Sequence, residues 1–162
     1  METVRRRGLY ESIIQSVPPS CEVVLVSHAF RFAAAEGVVG TNSTISVVDD
    51  DPSVREAIKS LLKSAGFHAE VFASAEEFLE SGQLAEATCL ILDVRMPGMG
   101  GVELQERLIA CNCSVPIIFV TAHADEDARA LALERGAVEF LRKPFNDEAL
   151  LDAIARSIGA AP

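Results

Sequence analysis

The sequence predicts an α/β fold, a doubly wound five-stranded parallel sheet with helices on both faces. Three observations predict it. Short apolar runs at residues 45–48, 69–72, 88–92, 117–120 and 137–141 alternate with segments whose apolar residues recur at three and four. Each crossover carries a helix, as parallel pairing requires. The chain of 162 residues, 49% hydrophobic and 23% charged, has the length and composition of one globular domain.

Each element has its own signal. Asp51 is placed to cap the first helix and Pro52 fits its first turn; Val54, Ala57, Ile58, Leu61, Leu62 and Ala65 then repeat at helical spacing until Gly66 stops it. Ser74 and Glu77 have capping-box spacing ahead of Phe78 and Leu79. The third helix is read over about residues 102–110, with Leu104 and Leu108 inward. The fourth holds Ala128, Leu131 and Ala132 and stops at Gly136; the fifth starts after Asn146 and buries Leu151, Ile154 and Ile158. Residues 1–43 do not share this rhythm, being broken by Pro18 and Pro19 and closed by Thr41, Asn42 and Ser43. They are read as a poorly ordered or loosely docked extension, with a sixth strand, a covering helix or a mistaken translation start as alternatives. The folded unit is then 44–159, with 160–162 a short tail.

Composition excludes some functions. The formal net charge is −10, from 24 acidic and 14 basic residues. A phosphate backbone requires a basic footprint, so no direct nucleic-acid contact is expected; a divalent cation or a basic protein surface suits the charge better. No stretch approaches the roughly 20 apolar residues that cross a bilayer, so no membrane contact is expected. Arg5, Arg6 and Arg7 resemble the start of a signal peptide, but Glu11, Gln15, Pro18 and Pro19 interrupt the segment after them, and a cytoplasmic location is expected. Cys89 lies in an apolar run and reads as a small core residue. Cys111 and Cys113 have no second pair and no histidine at ligand spacing, which argues for free thiols rather than zinc.

The chemistry collects at the strand ends. In an open parallel sheet the ligand crevice lies beyond the carboxyl ends of the strands. Asp49, Asp50 and Asp51 come directly after the first strand; Asp51 serves as the cap, which leaves Asp49 and Asp50 without a structural duty. Asp93 follows the third strand, Thr121 the fourth and Lys143 the fifth. Three carboxylates at one edge repel unless a cation joins them, and an all-oxygen site suits Mg²⁺, with Mn²⁺ as a substitute. A hydroxyl and an ammonium beside them are suited to phosphoryl oxygens. Taken singly, Thr121 also reads as the cap of the fourth helix and Lys143 as an exposed lysine.

Four segments carry a resemblance. They are Val47-Val48-Asp49-Asp50-Asp51-Pro52-Ser53-Val54-Arg55, Leu90-Ile91-Leu92-Asp93-Val94-Arg95-Met96-Pro97-Gly98-Met99, Pro116-Ile117-Ile118-Phe119-Val120-Thr121-Ala122-His123 and Gly136-Ala137-Val138-Glu139-Phe140-Leu141-Arg142-Lys143-Pro144-Phe145. In this order and spacing the chain resembles the receiver domains of two-component response regulators, especially the FixJ-like group, over about residues 43–158. The resemblance implies a flavodoxin-like, CheY-like strand order 2-1-3-4-5. It implies that Asp93 is the phosphoacceptor, that Asp49, Asp50, Asp93 and the backbone carbonyl of Arg95 hold Mg²⁺, and that Thr121 and Lys143 clamp the phosphoryl oxygens. It also implies a switch through Thr121 and Phe140 that remodels the face of the fourth helix, fifth strand and fifth helix. The resemblance also places Arg95 and His123 where receivers tune the phosphate lifetime, His123 reading equally as an exposed histidine in the first turn of a helix, and it implies a cis bond between Lys143 and Pro144.

The implied partners are a sensor histidine kinase or a histidine phosphotransfer protein, an output protein and a phosphorylation-dependent second copy of the chain. The implied activity is that of a signalling switch with self-catalysed phosphotransfer and weak autophosphatase action. The alternatives are a pseudo-receiver that binds protein without phosphorylation, or the receiver part of a longer DNA-binding regulator. An aspartyl phosphatase would carry a second aspartate two residues past its nucleophile, where this chain has Arg95. A dinucleotide site would need a G-x-G-x-x-G turn, and none comes after the first strand.

Overall fold

Alternation of side chains along each strand divides the apolar residues between two faces, and this division builds the molecule. The computed structural model describes residues 43–123 and 125–159. The readings of an N-terminal extension and a C-terminal tail therefore lie outside the described residues, Ser43 apart. The elements are β1 (Thr44–Val48), α1 (Pro52–Ser64), β2 (His68–Phe72), α2 (Ala75–Glu80), a 3-10 turn (Gln83–Ala85), β3 (Ala87–Asp93), α3 (Gly101–Ala110), β4 (Ile117–Thr121), α4 (Glu126–Glu134), β5 (Glu139–Arg142) and α5 (Asp147–Gly159).

The five strands form one parallel sheet in the order β2-β1-β3-β4-β5. Val48 stands opposite both Phe72 and Leu92, Leu92 opposite Phe119, and Phe119 opposite Phe140. These residues point to one face, where α2, α3 and α4 supply Phe78, Leu104, Leu108 and Ala132. Ile45, Val47, Ile91, Ile118 and Val120 point to the other, covered by Ile58 and Leu62 of α1 and by Leu150, Ala153 and Ile154 of α5. Burial on both sides explains why β3 and β4 are continuous apolar runs rather than alternating ones.

Several boundaries differ from the sequence reading. The fifth strand is not 137–141, because Ala137 is occupied in ending α4: its N–H donates to Ala132 O at 3.0 Å while Gly136, at φ 92, donates to Leu133 O at 3.0 Å. Leu131 is 38% exposed and the inner face of α4 is carried by Ala132. On α5 the buried stripe is Leu150, Ala153, Ile154 and Ser157, with Leu151 and Ile158 packed at its margin. The helix caps at Asp51 and Ser74 are as read, accepting from Ser53 N at 2.8 Å and Glu77 N at 3.1 Å. Cys89 and Cys113 are free and buried, whereas Cys111 is disulfide-bonded, contrary to the expectation of a free thiol. Among the described residues no helix is long and apolar enough to cross a membrane.

Candidate functional site

The parallel arrangement brings the ends of β1, β3, β4 and β5 to one edge. Asp49 stands just past β1 and is fully buried. Its N–H donates to Phe72 O at 3.1 Å, its carbonyl accepts from Arg55 Nη1 at 2.7 Å, and its Oδ1 accepts from Asp51 N at 2.9 Å. Asp49 thus has the structural duty that the sequence reading denied it, because it shapes the turn into α1. Asp50 beside it is exposed. Asp93, the last residue of β3, is 7% exposed, and its Oδ1 faces Arg95 N at 3.5 Å.

One carboxylate oxygen from each of Asp49, Asp50 and Asp93 lies within 4.8 Å of the others. Lys143 reaches in from the end of β5: its Nζ is 2.6 Å from Asp49 Oδ2 and 3.7 Å from Asp93 Oδ2. It is not the exposed lysine that its position alone suggests, since only 16% of its side chain is accessible. The next peptide, Lys143-Pro144, is cis, and Lys143 N–H donates to Thr121 O at 2.7 Å. Thr121 is fully buried, with its Oγ1 accepting from His123 N at 3.2 Å. It does not cap α4; Asp125 does, accepting from Ala128 N at 3.0 Å.

Burial raises the Asp93 carboxyl above its ordinary value; the Lys143 charge opposes this, while Asp49 and Asp50 add to it. Such a cluster of hard oxygen donors matches a divalent cation of the Mg²⁺ type, whose charge would relieve the mutual repulsion.

The loop after Asp93 is pinned from two sides. Gly98 adopts φ 77, and Glu76 Oε1 of α2 accepts from Met99 N at 2.8 Å, occupying the space that a Cβ on Gly98 would need. A Cβ on Gly101 would overlap the carbonyl of Asp93, so glycine lets the start of α3 pack directly on the end of β3. Arg95 Nη2 pairs with Asp125 Oδ2 at 3.0 Å. The hydrogen bond from Ala128 N and then that from Arg95 hold the Asp125 carboxyl below its ordinary range.

This edge can be set beside known proteins. Residues 45–155 match the family model described as the response regulator receiver domain. The chain belongs to the response regulator receiver family. This receiver domain is 46% identical over 121 residues to the response regulator protein TmoT of Ectopseudomonas mendocina, covering 74% of this chain and 54% of that protein. It is 43% identical over 114 residues to nodulation protein W of Bradyrhizobium diazoefficiens, covering 70% and 50%. The chain thus spans about half the length of the curated relatives it matches. The solved response regulator StyR matches with a TM-score of 0.69 at 51% identity, over 73% of this chain and 60% of that one. FixJ-N matches with a TM-score of 0.68 at 34% identity, over 76% and 98%. A general receiver role in a phosphorelay follows from this membership.

Within this receiver domain the fold gathers Asp49, Asp50, Asp93 and Lys143, with Thr121 adjoining through the Lys143 N–H. Phe140 lies apart on β5, half-buried, with its ring 5.9 Å from that of Phe119 at 34°. His123 is exposed in the turn before α4, not in its first turn. Sequence reasoning missed Glu76, Gly101 and Asp125. The cap signal of Asp125 three residues before Ala128 was present to be read; the partners of Glu76 and Gly101 are tertiary, and no local signal announces them.

Proposed function

We propose that Asp93 accepts a phosphoryl group from a phosphohistidine on a sensor kinase or histidine phosphotransfer protein. The observation that carries this reading is the convergence of Asp49, Asp50 and Asp93 within 4.8 Å, with Lys143 Nζ 3.7 Å from Asp93. An Asp93 carboxylate oxygen forms the new bond to phosphorus; the bond from phosphorus to the histidine nitrogen breaks and its electron pair stays on the imidazole. Asp49, Asp50, Asp93 and the Arg95 carbonyl would hold Mg²⁺, or Mn²⁺ in its place, which when bound neutralises charge on the transferring group. Lys143 neutralises a second phosphoryl oxygen and Thr121 donates its hydroxyl to a third, so catalysis here is positioning and charge compensation.

In this reading Thr121 turns from His123 N toward the phosphoryl group and Phe140 moves inward beside Phe119, which remodels the face of α4, β5 and α5. That face then takes an output protein or a second copy of the chain. A two-state population shift of this kind requires only that the phosphoryl group favour one arrangement over the other. Slow hydrolysis of the aspartyl phosphate, tuned by Arg95 and His123, resets the switch.

The test is intact-mass analysis after incubation with acetyl phosphate, with and without Mg²⁺, alongside Asp93→Asn. A Mg²⁺-dependent gain of one phosphoryl group, absent in the variant, is the expected result. No gain where another receiver is labelled would turn the reading to a pseudo-receiver that binds protein without phosphorylation.

A further inference from the structure

Arg95 and Asp125 sit on different loops, 30 positions apart, and meet across the rim of the phosphoacceptor site. The Asp125 carboxylate divides its two oxygens between two tasks. Oδ1 accepts from Ala128 N at 3.0 Å and caps α4; Oδ2 accepts from Arg95 Nη2 at 3.0 Å. Arg95 is also the residue whose backbone N–H faces Asp93 Oδ1 at 3.5 Å, while its guanidinium pairs with Asp125. With 59% of the Arg95 side chain and 28% of the Asp125 side chain accessible, the pair is open to solvent.

We infer that Asp125 is a positioning residue for the phosphoacceptor: by holding the Arg95 guanidinium on the neighbouring loop it keeps one approach to the aspartyl phosphate open to water. The inference rests on the reading of Asp93 as the acceptor. A phosphoryl group on Asp93 brings close to two negative charges within reach of Arg95. The guanidinium then has two anionic destinations, and charge-assisted hydrogen bonds to phosphoryl oxygens compete with the bond to Asp125. While Asp125 retains it, a water oxygen can form its bond to phosphorus, the bond from phosphorus to the Asp93 oxygen breaks, inorganic phosphate departs and a proton passes to solvent. When the charge of Asp125 is removed, Arg95 moves onto the phosphoryl group and occupies that approach.

The two tasks of Asp125 separate by substitution. Asparagine caps a helix about as well as aspartate but offers no charge to Arg95. The experiment loads the protein with acetyl phosphate and Mg²⁺, removes the donor, and follows decay of the phosphorylated mass in wild type, Asp125→Asn, Arg95→Ala and the double variant. Asp125→Asn is expected to lengthen the half-life roughly two- to fivefold, the rate equivalent of an exposed ion pair. The double variant should decay as Arg95→Ala does. An unchanged or shortened half-life in Asp125→Asn, or the same lengthening without Arg95, overturns the inference. A wild type that takes no phosphoryl group sinks the acceptor reading instead, and hydrogen exchange in the unphosphorylated protein then reads the pair alone. There each single variant should speed amide exchange at residues 95–99 and the double variant no more than either; unchanged exchange in both overturns the pairing as a restraint.

Discussion

Ser46 sits in the middle of β1 with its hydroxyl fully buried and without a hydrogen-bond partner among the described residues. A buried hydroxyl left unpaired costs about 1–3 kcal/mol, whereas alanine at the same place leaves almost the same volume and no polar group. Ser46→Ala is therefore expected to raise stability by about 1 kcal/mol, read as a higher urea midpoint at unchanged slope. A lower midpoint would mean that the hydroxyl is hydrogen-bonded in solution. Asp49 shows the converse limit at this scale. Its place at a strand end marked it for the site, but its duty in the turn depends on Asp51 N and its charge partner Lys143 lies 94 positions away. A sequence reports which residues end strands; the lateral spacing between those ends comes only from the sheet.

Helix ends obey one rule in three places. After α1, α3 and α4 a residue with positive φ, Gly66, Asn112 and Gly136, is succeeded by one whose N–H returns to the helix, at 2.9 Å for Phe67 to Leu62 O, 2.9 Å for Cys113 to Leu108 O and 3.0 Å for Ala137 to Ala132 O. The two glycines were legible as stops, while Asn112 was not, because asparagine takes the left-handed conformation less often and announces it less clearly. Asn112→Ala is expected to destabilise by about 1 kcal/mol, since φ 53 crowds an alanine Cβ without the local hydrogen bonding that asparagine offers; equal urea midpoints for the two proteins would contradict it. The edge strand gives a pH prediction. Arg156 of α5 pairs with Glu139 of β5 at 2.9 Å, and that hydrogen bond is the main reason the Glu139 carboxyl is held below its ordinary value of 4.5, against a smaller opposing effect of burial. A carboxyl lowered on folding contributes stability above its unfolded pKa and loses it as pH falls through the folded one. Glu139→Gln should therefore lower stability at about pH 7 by no more than about 1 kcal/mol, because the pair is largely solvated, and the deficit should shrink below about pH 4. A deficit independent of pH would assign the loss to packing instead.

At the scale of the whole molecule the two hydrophobic periods sufficed for the class of fold, because a five-stranded sheet whose three central strands are buried on both faces leaves few other ways to cover it. The order of the strands came from motif resemblance, since periodicity does not say which strand lies beside which. That order is what forces Asp49, Asp50 and Asp93 to share one edge, with β1 and β3 adjacent at the centre of the sheet. Three carboxylates within 4.8 Å oppose folding when no cation is bound, and Lys143 offsets only part of their charge. Asp50 is the exposed member and, unlike Asp49, is not tied into the turn, so Asp50→Asn removes repulsion at little structural cost. In a chelator the variant is expected to unfold at higher urea than wild type, by about 1 kcal/mol at the effective dielectric of a partly exposed site. With the cluster acting as the proposed Mg²⁺ site of the folded state, the ion should raise wild-type stability by about 2.7 kcal/mol at a hundred times its dissociation constant, with a much smaller rise in the variant. A variant that gains stability beside a wild type indifferent to Mg²⁺ would leave a repulsive cluster that is not a metal site. A variant that loses stability in chelator would show that the edge is held together by contacts stronger than the repulsion among its carboxylates.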